Sequence, residues 1–202
     1  MGCDIHMHIE YKRSGQWICG DYFRKNPLYG RYAGEPEYTL VGFHDNRDYD
    51  LFATLANVRN YGKTDYISEP RGLPDDITDD VKAMAGDWDI DGHSHSYLTL
   101  REIIDFHNEN HPLKRSGFIS PEASKALDEQ GILPDCWCQG TGDKTWVHRE
   151  WSTENENLAA LIDDIKKRAD ELNLIYDFSW DSSPNHAYKE AKNIRIVFWF
   201  DN

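Results

Sequence analysis

The chain has 202 residues and a formal net charge of −14, from 22 Lys and Arg against 36 Asp and Glu, which excludes a protein that coats nucleic acid non-specifically. Hydrophobic residues make up 39% and aromatics 13%, which excludes a disordered acidic chain. The length permits one sizeable core and is short for a complete eight-stranded α/β barrel of about 250 residues.

The opening Met1-Gly2-Cys3-Asp4-Ile5-His6 has neither the basic start nor the apolar run of a signal peptide. No stretch approaches about 18 apolar residues, so a cytoplasmic protein without a membrane partner is expected. The segment from Cys3 to Tyr11 alternates strictly. Cys3, Ile5, Met7, Ile9 and Tyr11 fall on one face of a strand, and Asp4, His6, His8 and Glu10 on the other. Trp17-Ile18-Cys19 and the run from Tyr38 to Phe43 are further strand candidates, separated by a Gly/Tyr/Pro-rich loop from Asn26 to Pro36.

Asn46 is the expected cap of a helix running to about residue 59, with Leu51, Phe52, Leu55 and Val58 as its apolar stripe. A short helix is expected over Thr78 to Ala85. Thr99 and Glu102 form a capping box that opens a third helix. Ser120-Pro121 starts a fourth, which Gly131 stops, and Leu158 to Leu174 reads as the longest. The run Ile194 to Phe200 is branched and aromatic throughout, as in a central buried strand. These elements predict one α+β domain over residues 1–202. Its sheet is mixed or antiparallel, includes the first and last strands, and carries about five helices.

Four cysteines are few for a disulfide framework, so reduced thiols are expected. The segment Asp-x-His-x-His occurs twice, as Asp4-Ile5-His6-Met7-His8 and Asp91-Gly92-His93-Ser94-His95. On a strand, His-x-His sets two imidazoles on one side, about 6.6–6.8 Å apart along the backbone, where both can turn toward one ion. His6, His8, His93 and His95 are therefore the candidate ligands of a divalent metal, zinc or manganese. Asp4 and Asp91 are the candidate catalytic carboxylates, bridging metals or acting as base. Arg47, Arg71 and His44 are the candidate substrate-binding residues. Of these, His44 and Arg47 sit at a strand-to-helix junction that favours anions. The sequence His107-Asn108-Glu109-Asn110-His111 departs from HExxH and reads as a helix-end cluster, and Gly140 to Thr145 reads as a turn.

The first motif resembles the first metal-binding strand of the amidohydrolase superfamily and of PHP-type phosphoesterases, and Asp91-Gly92-His93 is similar to an Asp-x-His found in those families. Over its whole length the chain resembles a group of small phage and prophage proteins, through the opening Met1 to His6, Pro70 to Pro74, Asp91 to Ser96 and the ending Arg195 to Asn202. The first likeness implies a metal-dependent hydrolase, most simply a phosphoesterase acting on a nucleotide-like molecule. The second implies a phage-associated protein in the cytoplasm of an infected host. A different class is open as well: a non-catalytic protein that sequesters a host nucleotide signal or inhibits a host defence protein.

Overall fold

The computed structural model describes residues 2–44, 46–140, 143–172 and 191–201. The chain begins with the strands β1 (Ile5–Arg13), β2 (Gln16–Cys19), β3 (Tyr22–Lys25) and β4 (Tyr38–Val41), followed by helices α1 (Tyr49–Ala56) and α2 (Asp79–Asp87). β5 (His93–Thr99), α3 (Leu100–Asn108), β6 (Leu113–Ile119), α4 (Pro121–Gln130) and β7 (Val147–Thr153) come next. α5 (Glu156–Glu171), a short 3-10 turn and β8 (Ile194–Phe200) complete the order. The fold is α+β, as the sequence predicts, with five α-helices among the described residues. No helix among them is long and apolar enough to cross a membrane.

The main sheet has four antiparallel strands in the order β2-β1-β8-β5. β1 pairs with β8 from Ile5 opposite Phe200 to Tyr11 opposite Ile194. Two further ribbons, β3-β4 and β6-β7, stand outside this sheet. One face of the main sheet carries Ile5, Met7, Ile9, Leu98, Ile196, Phe198 and Phe200. These pack under Leu51, Phe52 and Leu55 of α1, Ile103 of α3, and Leu161, Ile162 and Ile165 of α5. The other face is also covered. Val197 and Trp199 are buried against Val81 and Ala85 of α2, with Trp88, Leu73, Ile77 and Tyr97 around them. Double coverage explains why β8 is apolar at almost every position and why all seven of its residues are buried.

Local signals place the helices. Thr99 and Glu102 close the capping box of α3, and Gly131 ends α4 in the left-handed region at φ +66°. α1 is capped by Asp48, whose carboxylate accepts from the Asp50 and Leu51 N–H groups, rather than by Asn46. It ends earlier than residue 59, because Asn57 turns left-handed at φ +57°. α5 starts at Glu156 under the Asn155 cap, before the expected Leu158, and residues 173–174 of the expected helix lie outside the described residues. β3, β6 and β7 lack strong alternation and were not expected as strands.

The polar row of β1 ends on a buried ion pair. Arg195 Nε donates to Glu10 Oε2 at 2.6 Å, and Arg195 Nη1 and Nη2 reach the Asp76 carboxylate and carbonyl at 2.6 and 2.9 Å. The guanidinium lies 3.9 Å from the centre of the Trp17 ring, and the indole N–H donates to Asp76. Glu10 Oε1 accepts from the Thr78 N–H, which leads into α2. The network thus fixes α2 over the sheet. Arg195→Met strands a buried Glu10 carboxylate and is expected to cost about 3–5 kcal/mol in urea unfolding, whereas Glu10→Leu/Arg195→Met is expected to cost clearly less. Equal stability of wild type and the single variant would refute this assignment.

Candidate functional site

The site is built at the end of the sheet where β1 begins and β8 ends. Asp201, just past β8, accepts the Asp4 N–H on Oδ1 at 2.9 Å, and its own N–H donates to the Asp4 carbonyl. Its second oxygen lies 3.2 Å from His6 Nε2. Both side chains are about four-fifths buried. The His6 ring packs against Trp88, with ring centres 3.9 Å apart. Asp4 holds Arg47 through two hydrogen bonds of 2.7 Å, Nε to Oδ1 and Nη2 to Oδ2, and Arg47 keeps the Asp4 carboxyl below its ordinary range. The guanidinium passes directly over Gly2, where a side chain would require it to shift. His44 delivers this arm by pairing its backbone with Met7 at the edge of β1.

His8 points to the same side of β1 as His6 but is buried. Its Nδ1 lies 2.6 Å from Asp21 Oδ2, and Asp21 Oδ1 accepts from the Ile9 N–H at 2.9 Å. Burial pushes the Asp21 carboxyl up, and the bonded His8 pulls it partly back. The polar face of β1 is therefore roofed by protein instead of facing solvent.

The second motif departs from the expected geometry. A register shift separates His93 from Ser96, and Ser94 sits in the left-handed region at φ +51°. His93 consequently lies opposite Phe200, on the face under α1, with its ring centre 6.1 Å from the phenyl ring. Its Nδ1 is 3.0 Å from Ser94 Oγ, and its Nε2 is buried with no hydrogen-bond partner among the described residues. His95 turns to the opposite face, its ring centre 5.8 Å from that of Trp199. The expectation that His93 and His95 share a side is thus corrected: the bulge supplies one residue too many for strict alternation.

Trp199 stands between the two motifs. Its ring centre lies 6.0 Å from His6, 4.9 Å from His8 and 5.8 Å from His95. Asp91 lies exposed in the turn before β5 and joins none of them. Arg71 lies alongside β5, bonded to Glu102 at 2.7 Å and to the Tyr97 carbonyl at 3.3 Å. The structure therefore joins Asp4, His6, Arg47 and Asp201, keeps His8 and His95 within the same aromatic layer, and separates Asp91, His93 and Arg71. Both Asp4 oxygens hold Arg47, His6 and His8 each face a carboxylate, and no three donors among the described residues are placed to share one ion.

Two residues were not singled out by the sequence. Asp21 is the only acid between Tyr11 and Tyr32, a local oddity that could have marked it. Trp199 is indistinguishable from its neighbours in an apolar strand. Part of the expected Gly140–Thr145 turn lies outside the described residues. The chain matches no protein-family model, no curated protein and no solved structure.

Burial, and then the neighbouring His93, hold the His95 imidazole below its ordinary value of 6.5. The folded state prefers neutral His95, so its contribution is complete above pH 6.5 and is lost as pH falls toward the lowered folded value. Thermal unfolding is expected to show declining stability below about pH 6.5, with a shallower decline in His95→Gln. Identical slopes for the two proteins would exclude His95 as the cause.

Proposed function

We propose that the head of the sheet is a hydrolytic site acting on a small phosphate-bearing, nucleotide-like molecule. The observation that carries this reading is the meeting of Asp4, His6, Arg47 and Asp201, from segments far apart in sequence, around an imidazole that still reaches solvent. Such convergence of ionisable groups is the usual mark of acid–base chemistry. His6 Nδ1 takes a proton from the attacking water as the new P–O bond forms and the P–O bond to the leaving group breaks, the leaving oxygen departing to solvent, while Asp201 holds the ring through Nε2 and supports the positive charge that develops. Arg47, half exposed, exchanges Asp4 for phosphate oxygens, which match its planar fork equally well. Trp88 supplies the aromatic wall beside the imidazole.

The test is release of product from a panel of nucleoside phosphates, cyclic nucleotides and nitrophenyl phosphodiesters. His6→Ala is expected to lower kcat by about 10²–10⁴, and Arg47→Ala to act mainly by raising KM. Unchanged turnover in His6→Ala would remove the site from the reaction. No turnover by wild type, with a melting shift on one nucleotide, would replace hydrolysis with sequestration.

A further inference from the structure

The β6-β7 ribbon carries a pair of thiols that the head of the sheet does not use. Cys136, Trp137 and Cys138 follow one another in the segment after α4. Both thiols are free; Cys136 is exposed and Cys138 partly so.

The backbone that holds them is fixed. Cys138 joins the edge of β6 as a short third strand. The Phe118 N–H donates to the Cys138 carbonyl at 2.8 Å, and the Cys138 N–H donates to the Phe118 carbonyl at 3.1 Å. The Trp137 ring meets Trp151 edge to face, with centres 5.8 Å apart. It also lies over Gly117, where a Cβ would come within 2.8 Å of it. Side chains alternate along an extended chain. With Trp137 turned toward Trp151, Cys136 and Cys138 therefore turn together toward the opposite side. Phe118 faces Cys138 across one edge of β6 and His148 across the other, so a full strand separates that imidazole from the thiols.

This spacing decides what the pair can hold. Residues i and i+2 of an extended chain have Cα atoms about 6.4–6.8 Å apart. A disulfide would have to draw the sulfurs to about 2.05 Å from the far end of its usual range of Cα separation. A metal ion relaxes that demand, because two metal–thiolate bonds of about 2.3 Å let the sulfurs stand up to about 4.6 Å apart. Zinc completes a tetrahedral shell with four donors, and no group of three His, Cys, Asp or Glu side chains among the described residues is placed to share an ion. Two thiolates alone suit a soft ion that is content with few ligands.

We infer that Cys136 and Cys138 together chelate one copper(I) ion. Two S–H bonds break, two Cu–S bonds form, and two protons leave to solvent. Copper stays monovalent throughout, so the step needs no oxidant or reductant. The Cys138 thiol gives up its 2.8 Å contact with the Gly140 carbonyl. Selection rests on the softness of sulfur and not on the charge of the surrounding surface. The inference is independent of the hydrolytic reading, since the ribbon stands outside the main sheet that carries the Asp4–His6–Arg47–Asp201 cluster.

The test is an anaerobic titration of the reduced full chain with copper(I) against a chromophoric copper(I) chelator. The protein is expected to withdraw one equivalent. Cys136→Ser and Cys138→Ser are each expected to weaken binding at least about 100-fold, more than loss of an outer-shell partner costs, with the melting temperature unchanged. Cys19→Ser is expected to bind as wild type does. The affinity is expected to rise about 100-fold per pH unit between about pH 6 and 7, because two protons are displaced together, where one thiolate would give about tenfold. Failure to withdraw copper from the chelator would overturn the inference, as would full affinity in either Cys136→Ser or Cys138→Ser. A tenfold slope would overturn the chelate, and tighter binding of zinc than of copper(I) would overturn the choice of ion.

Discussion

Arg195 is the one charge on the central strand, and it is buried. A guanidinium in that position is tolerated only with its donors satisfied, which requires Glu10 on the neighbouring strand and Asp76 in the approach to α2. That requirement orders much of the molecule. It sets the β1-β8 register at the end remote from the candidate site, and it fixes the segment that leads α2 across the second face of the sheet. It also brings Trp17 from the edge hairpin down as a lid on the cation. An apolar residue could fill the same space but could not select one register among several nearly equivalent ones in so uniform an apolar strand.

The opposite end of the same strand pair uses polar bonds differently. Asp201 ties the start of β1 to the end of β8 through two backbone contacts, and its spare oxygen meets His6. Structural closure and a candidate acid–base pair are thus served by one carboxylate. Trp199 decides what the layer beneath can do, because its indole lies between His6 and His8 of the first motif and His95 of the second. Its buried N–H finds no hydrogen-bond acceptor among the described residues, an arrangement costlier than a purely apolar one.

Features that depend on near neighbours in sequence were legible. The alternation of β1, the Thr99–Glu102 box and the Pro121 and Gly131 boundaries each rest on contacts a few residues apart, and the structure contains all of them. The matched histidine motifs were visible too, but not their geometry. His-x-His implies one face only where the strand is regular, and a single left-handed residue at Ser94 sends His93 and His95 to opposite sides. The carboxylates that meet the histidines lie 13 and 195 residues away, beyond the reach of any local pattern. The β4 half of the exposed ribbon was legible in the run from Tyr38 to Phe43, but β3 was not: with all four of its residues exposed, no apolar alternation was required of it.

The placement of β8 has a consequence for how the molecule is made. Among the described strands, the one that both cores need leaves the ribosome after the other seven. Until it arrives, β1 and β5 lack the neighbour that lies between them, and the apolar rows of both sheet faces have no centre to close on. Helices α3 and α5 can form early from local bonds, but they have only part of a floor to pack against. Assembly is therefore expected to be a late, concerted event with long loops to close, slow for a protein of this size and dependent on whatever shields β1 in the interval.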